Sequence, residues 1–248
     1  MIMIALILAA GYGTRLYPLT REIPKALLPV RGRPILEHLI DKLTASQIGV
    51  EKIVLVSNHK YAQKFQEWAS PLRKISIAVL DDGSTSEHDR LGSMGDMAFA
   101  IRAASLESQD LLAIGSDNLF EDDLKEFTRF ARGKAPAVTL GVYRLPDPSQ
   151  ASRYGVLTVE EKTGKVLAFE EKPAQPASAL ISTAVYFFPR NAVSWVLEYV
   201  GSSQSADTLG SFVHWLLTKE SVFAYPFSGS WFDIGDIASY THAQESFA

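Results

Sequence analysis

Along the first half of the chain the hydrophobic pattern switches between two periods. Residues 2–8 form an unbroken apolar run, which predicts a strand buried on both faces. In residues 34–46, Ile35, Leu36, Leu39, Ile40 and Leu43 fall on one stripe, the spacing of an amphipathic helix, and Pro34 suits its first turn. The same reading predicts strands over 52–56, 75–80 and 111–114, with helices over 61–68, 95–104 and 122–131. Strands that alternate with helices imply a parallel sheet covered on both faces, with ligands bound beyond the carboxyl ends of its strands. The second half is richer in strands, at 138–142, 155–159, 166–169, 184–188 and 222–225, with helices at 191–200, 208–217 and 237–247. The expected fold is α/β: a Rossmann-like, mixed and mostly parallel sheet with helices on both faces. No internal repeat and no Pro/Gly/Ser-rich linker interrupts residues 1–248, so a single domain is expected.

Composition narrows the chemistry. A chain that is 47% hydrophobic and 21% charged can bury a full core. A net charge of −4 argues against a nucleic-acid partner, which usually demands a basic face. The absence of cysteine removes disulfides, thiolate metal sites and cysteine nucleophiles, and fits a cytoplasmic protein. The histidines His38, His59, His88, His214 and His242 lack metal-ligand spacing. The apolar N-terminal run has no basic residue before it and, at about ten residues, is too short to span a bilayer, so neither a leader nor a membrane is expected.

The first strand runs into Ala9-Ala10-Gly11-Tyr12-Gly13-Thr14-Arg15-Leu16, and Lys25 follows within Pro24-Lys25-Ala26-Leu27-Leu28-Pro29. Glycines at a strand end let the backbone turn sharply and present N–H groups to an anion. Arg15 offers a fork of donors and Lys25 a mobile point charge. This is neither of two common phosphate loops: Leu16 stands where a dinucleotide fingerprint needs its third glycine, and no Gly-Lys-Ser/Thr triplet occurs.

Gly11 to Thr20, with Pro24, Lys25 and Leu27 to Pro29, resembles the signature of the sugar-phosphate nucleotidylyltransferases, which include glucose-1-phosphate thymidylyl- and uridylyltransferases and mannose-1-phosphate guanylyltransferases. The resemblance covers nearly the whole chain. It implies a nucleotidyltransferase domain over residues 1–248, with about 1–135 binding nucleotide and 136–248 binding sugar phosphate. It implies that Ala10, Gly11, Gly13 and Thr14 contact nucleotide, and that Arg15 and Lys25 hold and polarise the triphosphate. Gly115-Ser116-Asp117-Asn118 is similar to a family Gly-Asp-Asn motif, and Trp231-Phe232-Asp233-Ile234-Gly235 to Trp-x-Asp-x-Gly. By that likeness Asp117 and Asp233 bind magnesium, while Asp236 reads as a cap for the terminal helix. Phe169-Glu170-Glu171-Lys172-Pro173 resembles Glu-Glu-Lys-Pro, in which Lys172 meets the sugar phosphate and Glu171 the sugar hydroxyls; Glu170 keeps the reading of a solvated charge. Gly155, within Arg153-Tyr154-Gly155-Val156, is expected to line the sugar pocket, and Gly92, within Leu91-Gly92-Ser93-Met94-Gly95, to touch the nucleobase.

One segment departs from the family pattern. Asp207-Thr208-Leu209-Gly210-Ser211-Phe212 stands where many relatives carry Glu-Leu-Thr-Asp, which puts the sugar in doubt. The implied activity transfers a nucleoside monophosphate from UTP, dTTP or GTP to a sugar 1-phosphate, releasing pyrophosphate. Two alternatives stand beside it: a cytidylyltransferase acting on a non-sugar phosphate such as phosphocholine, and a non-catalytic subunit that binds nucleotide sugar. A glycosyltransferase is disfavoured because no Asp-x-Asp occurs. Partners are then small-molecule substrates, with no nucleic acid, no membrane and no acyltransferase activity expected, and with a homo-oligomer left open.

Overall fold

Residues 3–45, 48–202 and 208–247 are described by a computed structural model. Its elements, in chain order, are β1 (Met3–Leu8), β2 (Pro29–Val30), β3 (Arg33–Pro34), α1 (Ile35–Leu43), β4 (Val50–Ser57), α2 (His59–Ala69), β5 (Ser76–Asp81), α3 (Gly92–Ala103), β6 (Asp110–Gly115), β7 (Asn118–Phe120) and α4 (Lys125–Gly133). There follow β8 (Val138–Arg144), β9 (Gly155–Glu160), β10 (Lys165–Glu171), β11 (Leu180–Phe188), α5 (Val193–Gly201), α6 (Leu209–Leu216), β12 (Val222–Pro226), β13 (Trp231–Asp233) and α7 (Ile237–Ser246).

A strand buried on both faces needs apolar side chains at every position, because successive residues point to opposite sides. β1 shows this directly. Ile4 and Leu6 join the core under α3, α5 and α6, whereas Met3, Ala5 and Ile7 join the core under α1, α2 and α4. Leu111 and Ala113 against Leu112 and Ile114 in β6, and Tyr186 and Phe188 against Val185 and Phe187 in β11, divide in the same way. Two hydrophobic layers therefore sandwich one sheet, in the expected α/β arrangement. Among the described residues the sheet has nine strands in the order β5-β4-β1-β6-β11-β8-β12-β10-β9. Neighbours from β5 to β6 are parallel, β12 runs parallel to β8, and β11 and β10 pair antiparallel with their neighbours.

Three departures from the expected elements bear on the site. First, α3 starts at Gly92 rather than at 95: Met94 in its first turn is buried, but with glycines at 92 and 95 no repeating apolar stripe marks the start. Second, α4 starts at Lys125 rather than at 122. The acidic residues before it are bonded to a distant loop: Asp122 accepts from Gly229 N at 2.7 Å and Glu121 from Ser230 N at 3.0 Å. Third, β7 and β13 form a small antiparallel ribbon that no local period announced, with Asp233 opposite Asn118. Ser46, the end of the expected first helix, lies outside the described residues. Among the described residues no helix is long and apolar enough to cross a membrane.

Candidate active site

The carboxyl ends of β1 and β6 open onto a cleft of about 650 Å³. Of the twelve residues expected in a site, Ala10, Gly11, Arg15, Gly92, Asp117, Gly155, Glu171, Lys172 and Asp233 line it. Lys25 reaches the cleft through Asp117, to which its Nζ donates at 2.6 Å. Gly13 and Thr14 are not among the residues that line it.

Gly13 turns the chain with φ of 61°, a left-handed conformation that glycine adopts without steric cost. Thr20 Oγ1 donates to the Gly13 carbonyl at 2.7 Å, and the Thr20 carbonyl in turn accepts from the Tyr61 hydroxyl. Asn58 Nδ2 donates to the Ala10 carbonyl at 2.8 Å. The loop after β1 is thus pinned by side chains from α2 and its cap, and Thr14 opens the short turn that throws Arg15 outward.

The two aspartates come from residues more than a hundred positions apart. Backbone pairing of β13 with β7 brings them together, and Ile234 N donates to the Asp117 carbonyl at 3.0 Å. Asn118 Nδ2 donates to Asp117 Oδ1 at 3.1 Å, while Asn118 Oδ1 accepts from Trp231 Nε1 at 2.8 Å, so the carboxylate is oriented by the strand opposite. Gly115 leaves the room: a Cβ there would lie 2.9 Å from Asn118 Nδ2 and 3.0 Å from Asp117 Oδ1. Burial pushes the Asp233 carboxyl above the usual carboxylate range. The Asp117 charge adds to the shift, and Lys25, Arg15 and Arg153 oppose it. Two crowded carboxylates, one of them costly to ionise, suit a cation that takes one or two protein oxygens and completes its shell with phosphate and water. Among the described residues no group of three or more Asp, Glu or His side chains is arranged so that it could hold a metal ion by itself. Asp236 caps α7, accepting from Ser239 N at 2.8 Å, and its other oxygen pairs with Arg153 at 3.2 Å.

At the far end of the cleft, β9 and β10 place Gly155 opposite Glu171. A Cβ on Gly155 would meet Phe169 Cζ at 2.3 Å, so only glycine lets the ring pack there. Lys172 adopts φ of 47°, unusual for a residue with a side chain, and its N–H donates to the Tyr154 carbonyl at 3.0 Å. This fixed backbone turns its exposed ammonium beside Glu171, 3.7 Å away. Glu171 leans on the start of α6, where a Cβ on Gly210 would fall only 1.9 Å from Glu171 Oε2. The segment that departs from the family pattern therefore packs against the expected sugar-binding carboxylate; Asp207 in it lies outside the described residues.

Several cleft residues were not legible beforehand. Arg90, Ser93 and Asp96 line the end near Gly92; Arg153, Tyr154, Ser182, Tyr186 and Thr208 line the end near Glu171. One signal was available: Asp96 is a lone acid in a stretch, Met94 to Ile101, that otherwise buries itself.

A family profile described as nucleotidyl transferase matches residues 4–248. Among curated relatives, the chain is 29% identical to mannose-1-phosphate guanylyltransferase 1 of Arabidopsis thaliana, over 95% of this chain and 62% of that protein. It is also 29% identical to a UTP–glucose-1-phosphate uridylyltransferase of Synechocystis sp., over 96% of this chain and 62% of that protein. The chain thus spans about three fifths of these relatives' length. A solved UDP-glucose pyrophosphorylase, in complex with UDP-glucose, shares the fold with a TM-score of 0.81 at 20% identity, covering 100% of this chain and 98% of its own.

Proposed function

The chain belongs to the nucleotidyl transferase family, and from that premise we propose that it joins a sugar 1-phosphate to a nucleoside triphosphate. An oxygen of the sugar phosphate attacks the α-phosphorus, and the bond from that phosphorus to the β-phosphate bridge breaks. The electron pair leaves with pyrophosphate, and the product is a nucleotide sugar. The nucleophile is already an anion at neutral pH, so the reaction asks for alignment and charge neutralisation rather than for a Ser, Cys or His nucleophile.

One observation carries this reading: a single cleft gathers cations at both ends and two carboxylates between them. Arg15 and the loop of Ala10, Gly11, Gly13 and Thr14 serve the triphosphate, with Lys25 beside Asp117. Gly92, where φ of 75° admits glycine, serves the nucleobase. Lys172 serves the sugar phosphate, while Glu171 and the wall at Gly155 serve the sugar. Asp117 and Asp233 would hold magnesium, which when bound supplies positive charge to the phosphates. Residues 1–135 are then the nucleotide half and 136–248 the sugar-phosphate half.

Pyrophosphate release is the direct test, with UTP, dTTP, GTP and CTP each paired against a panel of sugar 1-phosphates and phosphocholine. Turnover with a sugar 1-phosphate is expected; turnover with phosphocholine alone, or none with any pair, overturns the reading. Two variants test the far end. Lys172→Ala should impair sugar-phosphate use and leave triphosphate affinity by calorimetry nearly unchanged. Gly210→Ala must displace the Glu171 carboxylate, and should raise the KM for sugar phosphate by about tenfold or more, again without touching triphosphate affinity. A large loss of triphosphate affinity in either would move the sugar phosphate elsewhere.

A further inference from the structure

Asp96 is the one acid on the buried side of α3. It is 6% exposed, one turn beyond Gly92 and Ser93, and all three line the cleft. Its Oδ1 and the Oδ2 of Asp82, which follows β5, are buried, and neither has a hydrogen-bond donor. A buried polar atom without a partner destabilises a fold, and a charged one does so more; these two acids also act on each other, so the pair calls for an explanation.

We propose that Asp96 and Asp82 share one proton, and that this acid pair is a positioning device holding residues 82–91 against the first turns of α3, where they shape the nucleotide end of the cleft. The idea rests on the reading of that end as the triphosphate and nucleobase site. One proton satisfies both orphan oxygens at once: Asp96 donates and Asp82 accepts. The other oxygen of Asp82 already accepts from Ser84 N and Ser84 Oγ, both at 2.7 Å, which leaves Asp82 the acceptor of the pair. Burial pushes the Asp96 carboxyl up to about 8; the charge and contact of Asp82 push the same way, and Arg90 is the cation opposing them. The Tyr12 phenol of the phosphate loop is buried nearby, with Ser84, Asp89, Asp82 and Lys60 acting on it.

The segment that the pair secures has no apolar core of its own. It is tied by carboxylates to its own backbone. Asp89 accepts from Ser86 N at 2.7 Å and from Thr85 N at 3.1 Å, and Asp81 accepts from Gly83 N at 2.9 Å. His59 N donates to the Ser84 carbonyl at 2.9 Å, joining the segment to α2. On its other side, Asp82 acts on Asp96 of the helix that opens at Gly92. When the proton leaves, two anions are pressed together in a buried place, and the segment moves away from α3. The pair thus acts on the nucleotide through Gly92, Ser93 and Arg90, and is not itself a catalytic group.

The test is triphosphate affinity as a function of pH. If only the protonated pair binds, calorimetric Kd for GTP, UTP or dTTP weakens by about tenfold between about pH 7 and about pH 9. Asp96→Asn keeps a donor toward Asp82 and cannot titrate, so its affinity should match the parent near neutrality and stay flat. Asp82→Asn removes the second anion and should also shrink the alkaline loss. Titration of the nucleotide itself is common to parent and variants and cancels in the comparison. A second readout needs no ligand. A carboxyl raised in the folded state costs stability as pH climbs from the unfolded carboxylate range through its folded value. The melting temperature of Asp96→Asn should therefore gain on the parent most above about pH 8. A parent with no alkaline loss, or an Asp96→Asn variant that keeps it, overturns the proposal. If no triphosphate binds the parent near neutrality, the nucleotide reading fails and the positioning role with it; the melting comparison still reports whether the proton is shared.

Discussion

Lys25→Ala should lower kcat by about 10²-fold or more, the usual cost of a lost preorganised charge. The Lys25 ammonium sits on Asp117 at 2.6 Å and is only 16% exposed, so the fold itself holds it at the cleft. That placement matters because negative charge gathers on the reacting phosphorus and the leaving pyrophosphate during transfer. A charge held in advance strengthens toward the transition state without reorganising. The effect should fall on kcat more than on KM. Calorimetric binding of triphosphate and a melting curve separate this from a folding defect. A variant with near-normal kcat and only a raised KM would show that Lys25 binds the ground state alone.

Asp233→Asn should lose activity on the order of 10²-fold and demand much higher magnesium, because it keeps the size of the side chain and removes one ligand charge. Stability should move the other way. Asp233 is ionised at a cost, from burial first and from Asp117 second. Its folded-state value lies above the unfolded one, so the cost appears as pH rises through the carboxylate range and is complete above the folded value. The variant should therefore melt at a higher temperature than the parent at neutral pH, with little difference near pH 4. The β13–β7 ribbon, which is backbone pairing, should survive the change. Activity measured against magnesium concentration is the check. A variant that titrates with magnesium like the parent would remove Asp233 from the metal site.

The sequence by itself determined the layered sheet and the glycine turn after β1. Both depend on local information. An apolar residue at every position of 3–8 can be satisfied only by burial on two faces, and the stripe from Ile35 to Leu43 only by packing one face. Gly11, Gly13 and Arg15 lie within a few residues of each other, so their juxtaposition needed no tertiary contact. The Asp236 cap was legible for the same reason: its partner Ser239 is three residues away.

What the sequence could not decide was anything set by contact between distant segments. Asp117 and Asp233 were matched to motifs, but only the ribbon of β7 and β13, each three residues long, brings the motifs together. Strands so short carry no readable period, and their pairing depends on where the rest of the sheet delivers them. The start of α3 had no readable period because its first turn, Gly92-Ser93-Met94-Gly95, offers the core one side chain, Met94, while Gly92 and Ser93 line the cleft. Gly210 looked like a mere departure from a pattern until the packing of Glu171 against it gave a steric reason for a residue without a side chain. The protonation of Asp96 was out of reach entirely. An aspartate is an ordinary ionised acid by type, and becomes a neutral one only when the fold removes water from it and sets a second carboxylate beside it.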